Sequence, residues 1–273
     1  MSGILGIAAA EFRIAIRNRW VAILVAMMVL FSLVLSAAGS SPSGALGADR
    51  LSVTVASLTG LAVYLIPLMA LLLSFDAVAG EIERGTLALL LTYPLSRPGL
   101  LLGKFLAQLA VLGIALLAGY AAAAAAALLT DPSAVEGLQP LFRLFWSSLL
   151  LGSAFLGIGY AISAIARRPG SAAGMAVGAW LLLIVLFDLA LLAAVVADDG
   201  GTFTTRLFSW FLLGNPADAF RLFNLAASKA TAAAAGVAGA AEAIPASRAL
   251  VSVLAWPPFA FLLAFAAFRK VTP

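Results

Sequence analysis

Phe75-Asp76-Ala77-Val78-Ala79-Gly80-Glu81-Ile82-Glu83-Arg84-Gly85-Thr86-Leu87-Ala88-Leu89-Leu90-Leu91-Thr92-Tyr93-Pro94-Leu95-Ser96-Arg97 is the stretch on which the reading of this chain turns. It lies between two long apolar runs, yet Asp76, Glu81, Glu83, Arg84 and Arg97 make it more charged than any other segment of similar length. Hydrocarbon would not hold so many ionised groups. Val78 and Ile82 lie one helical turn apart, and Leu87, Leu90 and Leu91 prolong an apolar stripe, so the segment can lie amphipathically along a surface and face a partner. Gly85 permits a bend and Pro94 ends the element. Two readings follow: a solvated loop that is helical, or the handle by which a membrane protein is gripped by a cytoplasmic machine.

The flanking sequence favours a membrane. Of the 273 residues, 64% are hydrophobic and 10% charged, with a mean hydropathy of +1.12, far from the balance of a soluble domain. Apolar runs of roughly 20 residues recur along the chain, which predicts a single all-α, polytopic domain with about six spanning helices. Cysteine and histidine are absent. That removes disulfides, thiolate and imidazole metal ligands, and Cys- or His-based catalysis. Met27 and Met28 are adjacent, hence on different helix faces, and Met1, Met69 and Met175 are scattered, a poor path for a soft metal. Gly99-Leu100-Leu101-Leu102-Gly103-Lys104-Phe105 is one residue short of a phosphate loop and lacks its magnesium-binding hydroxyl. The chain is therefore expected to bind no metal or cofactor and to carry no catalytic site.

Spans are predicted at 20–38, 53–75, 100–129, 141–165, 172–197 and 249–268. Residues 1–19 read as an interfacial helix, with Ile4, Ala8, Phe12, Ala15 and Ile16 opposite Arg13 and Arg17. Residues 39–50 read as a short outer loop, 76–97 as the coupling segment and 198–248 as a long outer segment. The net charge of +4 needs no nucleic acid, because the basic residues flank apolar runs. Arg13, Arg17, Arg19, Arg84, Arg97, Lys104, Arg167, Arg168, Arg269 and Lys270 fall on one side, which places both termini in the cytoplasm. Lys104 is close enough to a span's end to snorkel.

Three further features stand out. Gly170, Gly174 and Gly178 recur every four residues, a small-residue face suited equally to packing within the subunit or to a dimer contact. Asp188 lies deep in its span, where an ionised carboxylate costs about 2.5–3.5 kcal/mol, and no second intramembrane ionisable group is evident. It reads either as a proton-sensitive or conduit group, or as a hydrogen-bonded packing residue. In Asn215-Pro216-Ala217-Asp218, Asn caps, Pro takes the first position and Asp follows in the first turn, predicting a helix through Leu225. With Ala219, Phe220, Phe223 and Ala227 on one side and Arg221 and Lys229 among its polar residues, that helix is expected to rest at the outer interface.

Gly80-Glu81, Gly85-Thr86-Leu87, Leu90-Leu91, Pro94, Arg97 and Gly103-Lys104 resemble the signature of ABC type-2 export permeases. That resemblance implies an ATPase-coupling role for Asp76, Glu81, Glu83, Arg84, Thr86, Leu87, Leu90, Leu91, Pro94 and Arg97, with ATP and magnesium bound by a separate cytoplasmic ATPase. Glu11-Phe12-Arg13, Arg17-Asn18-Arg19-Trp20, Phe187-Asp188-Leu189-Ala190-Leu191 and the string from Asn215 through Arg221-Leu222-Phe223-Asn224-Leu225 narrow the resemblance. They are similar to the permeases of ABC complexes that mature nitrous-oxide reductase. This implies a homodimer in a bacterial inner membrane, bound also to a periplasmic β-helical protein, with Asn215, Pro216, Asp218, Arg221 and Asn224 as the outer contact. The complex would assist copper-site assembly by exporting a sulfur species or by passing ATPase motion to the periplasmic partner. The rivals are a type-2 exporter of lipid, glycan or drug, and an energy-transducing scaffold that moves nothing across the bilayer.

Overall fold

A computed structural model of the chain describes residues 2–17, 19–38, 50–92, 96–226 and 245–271. Among them every regular element is helical. The order is α1 (Ser2–Ile16), α2 (Arg19–Ala38), α3 (Arg50–Ser74), α4 (Ala79–Glu83), α5 (Thr86–Thr92) and α6 (Arg97–Thr130). A 3-10 turn at Pro132–Gly137 leads into α7 (Leu138–Ala166), followed by α8 (Pro169–Trp180) and α9 (Phe187–Asp198). Then come α10 (Phe208–Gly214), α11 (Pro216–Leu225) and α12 (Ala246–Arg269). Wide π turns at Leu181–Leu186 and Phe203–Leu207 join α8 to α9 and precede α10.

Five helical stretches are long and apolar enough to cross a bilayer: Arg50–Glu83, Arg97–Thr130, Pro132–Ala166, Pro169–Asp198 and Ala246–Arg269. The bent pair Ile4–Ile16 and Val21–Ala37, at 71° to each other, makes a sixth when counted together. The fold is thus the expected all-α polytopic bundle. The expected outer loop at 39–49 and the Ala/Gly-rich part of the outer segment at 227–244, including Ala227 and Lys229, lie outside the described residues, as do Asn18 and Tyr93–Leu95.

The bundle is built around α7, which packs along α3 and α12, while α6 is flanked by α1 and α2. Residues buried inside the chain make up 67% of the most apolar window of Pro132–Ala166, against 11% for Pro169–Asp198. α7 is therefore the internal post and α8–α9 an outlying pair. Close approach explains part of this order: a Cβ on Gly157 of α7 would lie 2.7 Å from the Ala260 carbonyl carbon of α12, so only glycine lets these backbones meet. Leu51, Val55, Leu58, Ile66, Met69 and Leu71 fill the interior from α3.

Polar clamps close the end of the bundle remote from α4. Arg50 donates to Thr130 Oγ1 at 2.8 Å and to the Ser36 carbonyl at 3.0 Å, joining the ends of α2, α3 and α6. Asp131 ends α6 and caps the 3-10 turn, accepting from the Ser133 hydroxyl at 2.6 Å and the Ser133 N–H at 2.9 Å, which holds its carboxyl below the usual range.

Candidate functional site

The polar stretch that opened the sequence reading folds as an elbow. α3 continues through four turn residues, Phe75–Val78, into α4, and Gly85, at φ +69°, breaks the helix before α5. A side chain would strain that φ. Two N–H groups at the start of α4, those of Val78 and Ala79, donate to Ser163 Oγ on α7 at 3.0 and 2.9 Å. One hydroxyl thus satisfies two of the donors that a helix start leaves free.

The charges of the elbow divide into a buried set and an exposed set. Glu81 and Lys104 are each 7% exposed, and their ion pair measures 2.5 Å. Lys104 also reaches Glu11 Oε1 of α1 at 2.7 Å. One ammonium from α6 therefore ties two carboxylates from α1 and α4. This corrects two expectations: Glu81 is not part of an exposed handle, and Lys104 does not snorkel. Both face a polar pocket where three helices converge, because the i, i+4 spacing that aligns Val78 and Ile82 turns Glu81 towards α6. Asp76 and Arg84 pair at 3.4 Å near the surface, with side chains 42% and 58% exposed, a contact of the kind that contributes little. The absence of a Cβ on Gly80 makes room for the Asp76 carboxylate.

The remaining residues expected to couple separate as well. Leu87 is buried, Thr86 is half-buried with its hydroxyl 3.4 Å from the Glu81 carbonyl, and Glu83, Arg84, Gly85, Ala88 and Leu89 are exposed. Arg97 donates to the carbonyls of Arg269 and Val271 at 3.2 and 2.9 Å, fastening the end of α12. Leu90 and Leu91 lie in α5, their side chains outside the described residues, and Pro94 lies outside them altogether.

The Asn215–Leu225 helix begins as its sequence predicts, with Asn215 Oδ1 accepting from Ala217 N–H at 2.8 Å and Pro216 at the first position. Its placement differs from expectation. It packs between α3, α7 and α12, and Asn215, Pro216, Asp218 and Asn224 are buried. Asn215 Nδ2 donates to the Leu183 carbonyl in the π turn, and Asn224 Oδ1 accepts from Ser147 of α7 at 3.0 Å. Arg143 of α7 lies 3.7 Å above the Phe223 ring and donates to the Phe223 carbonyl. The polar side that suggested a water-facing helix is spent on internal partners, because α7 and the π turn supply donors and acceptors that the sequence spacing does not reveal.

Asp188 likewise has an ionic partner. Its Oδ2 lies 3.1 Å from Arg221 Nη2, while Arg221 Nη1 lies 3.1 Å from Asp218 Oδ1. The second ionisable group missing from the sequence reading is supplied from α11, 33 residues away. Gly170, Gly174 and Gly178 take the opposite role from packing: nothing among the described residues lies within 4 Å of a Cβ at any of them, while Ala172 and Ala176 carry the buried face of α8.

A helical bundle with five to six candidate spans, a charged, tied-down elbow and no strand among the described residues defines a polytopic α-helical membrane protein. Residues 5–271 match the family described as ABC-2 family transporter protein, and the chain belongs to that family. It is 44% identical over 268 residues, 97% of each chain, to the probable ABC transporter permease protein NosY of Pseudomonas aeruginosa. It is also 41% identical over 279 residues, 99% of each chain, to the protein of that name in Stutzerimonas stutzeri.

Proposed function

We propose that the chain is the permease subunit of an ATP-driven complex that supports copper-site maturation of nitrous-oxide reductase. The observation that carries this reading is similarity over nearly the whole chain to two permeases named NosY. In this reading ATP is hydrolysed by a separate cytoplasmic ATPase, and both termini lie in the cytoplasm of a bacterium bounded by the inner membrane. Two copies of the chain meet along α8, whose open glycine face and outlying position leave room for a second helix.

The ATPase would bear on the exposed Glu83–Leu89 tip. Its motion enters the bundle through Ser163, which holds the start of α4, and through Lys104, which holds Glu81 and Glu11. At the other end a periplasmic β-helical protein would meet the exposed Asp199, Arg206 and Trp210 rather than Asn215, Asp218 and Asn224, which are engaged inside. The output is a sulfur species carried outward or a movement delivered to that partner.

The test is complementation. A host lacking its own permease is expected to make nitrous-oxide reductase deficient in copper, and this chain, expressed with its ATPase, to restore copper content and activity. Unchanged copper in the deleted host would refute the maturation reading. ATP-dependent passage of a labelled sulfur compound into inverted vesicles would favour export over transmitted motion.

A further inference from the structure

Where α11 meets α9, two carboxylates share one guanidinium. Asp188 and Asp218 are each 3.1 Å from Arg221, so three ionised groups would leave one negative charge in excess. The excess is badly placed for an ionised carboxylate. The Asp218 side chain is 3% exposed, and its Oδ2 is buried with no hydrogen-bond partner. Asp188 and Arg221 are about 30% and 29% exposed, whereas Asp218 is enclosed by the bundle. An orphaned, buried carboxylate oxygen is costly, whereas a proton on it would cancel the excess charge.

No other charge offers relief. Arg143, the cation that α7 brings to α11, is committed to the Phe223 carbonyl and ring. On α3, Arg50 is committed to Thr130 and Ser36. Neither these groups nor Tyr64 of α3 nor Arg248 of α12 makes an ion pair or hydrogen bond with Asp218 or Asp188 among the described residues. Arg206, in the π turn before α10, makes none either. A metal cation is disfavoured, since the Arg221 guanidinium already occupies the space between the carboxylates and repels a second positive charge. Burial and the neighbouring Asp188 both push the Asp218 carboxyl up, against the pull of Arg221.

We propose that Asp218, with Asp188 and Arg221, forms a proton-binding site that locks α11 onto α9, protonated at neutral pH in the conformation described. The proton sits on Asp218 Oδ2. Its loss leaves two carboxylates facing one arginine, which weakens the hold between the helices. The Asn215–Leu183 hydrogen bond at 2.7 Å ties the start of α11 to the π turn that leads into α9, so release of the lock is felt at that turn.

Infrared difference spectroscopy on the full chain in lipid vesicles, titrated between acid and alkaline pH, tests this directly. The wild type is expected to show the carbonyl stretch of a protonated carboxyl at neutral pH that disappears as pH rises. Asp218→Asn, which mimics the neutral acid in shape, should abolish it. Asp188→Asn should move the loss of the band to lower pH, because it removes the neighbouring negative charge while leaving Asp218 buried. Glu81→Gln should leave that component intact, separating it from the Lys104 cluster. A wild-type band that is absent at neutral pH, or one retained in Asp218→Asn, overturns the proposal. So does a site that responds to sodium or potassium at fixed pH instead of to protons. The wild-type titration needs no variant to fold.

Discussion

Replacing Lys104 by methionine asks how much the elbow depends on one buried ammonium. The change keeps the length and apolar stem of the side chain and removes only the charge, so cavity effects are small. What remains is Glu81, with a side chain 9% exposed, facing α6 without a cation, and Glu11, 31% exposed, with water as an alternative partner. Removing one member of a buried pair costs about 3–5 kcal/mol because the survivor is left uncompensated. The Glu11 contact adds less than about 1 kcal/mol, since it is partly solvated. A total of about 3–5 kcal/mol lowers the folded-to-unfolded ratio by a hundredfold or more. Glu81→Met alone should cost less, because Lys104 keeps Glu11. The double variant should recover most of the loss, since apolar replacement of a whole buried pair is often close to neutral. Denaturant titration in mixed micelles, followed by the fluorescence of the five tryptophans, gives the cycle. A loss below about 1 kcal/mol for Lys104→Met, or a double variant no better than that single one, would refute the argument that Lys104 neutralises a buried Glu81.

Three further outcomes follow from the same contacts. Glu83→Ala with Arg84→Ala and Leu89→Ser, all at exposed positions of the elbow, should reduce co-purification of the ATPase several-fold while leaving unfolding unchanged within about 0.5 kcal/mol. Ser163→Ala orphans the Val78 and Ala79 N–H groups and should cost about 1–3 kcal/mol; the matching readout is ATPase association retained with stimulation of hydrolysis lost. Gly157→Val pushes α12 off α7 and should cost about 1–3 kcal/mol in a thermal melt, with Gly6→Val on α1, where nothing lies within 4 Å of an added Cβ, as a silent control.

Much of the fold could be read from the chain because hydropathy and helix signals are local. The apolar runs, the Asn-Pro start of α11 and the bend at Gly85 each depend on a few neighbouring residues, and each is present. What could not be read is what polar residues do after the helices assemble. Lys104 looked like a snorkelling side chain because its partners, Glu11 and Glu81, are 93 and 23 positions away, and no periodicity links them. Asp188 looked solitary for the same reason. The amphipathic pattern of α11 was sound, but its polar side met Ser147, Arg143 and the Leu183 carbonyl instead of water. Amphipathicity reports that a helix has two kinds of neighbour and leaves open whether the polar neighbour is solvent.

The placement of these polar contacts bears on how a push at the elbow could be felt at the far end. Ser163 and Ser147 lie on the same helix, α7, 16 residues apart, or about 24 Å along its axis. Ser163 holds the start of α4, and Ser147 with Arg143 holds α11. A single, deeply buried helix therefore touches both the elbow and the helix that carries Asp218. A stiff connection alone transmits displacement but stores no choice between states, and coupling between sites requires an element with two arrangements. The contact of α11 with α9 is the natural place for it. There the partner is the loosely held α8–α9 pair with its π turn, and the restraint is an arginine shared between two carboxylates instead of a packed core. In the proposed lock, a movement of α7 would change the position of Asp218 relative to Asp188, and the charge balance around Arg221 would set whether α9 follows.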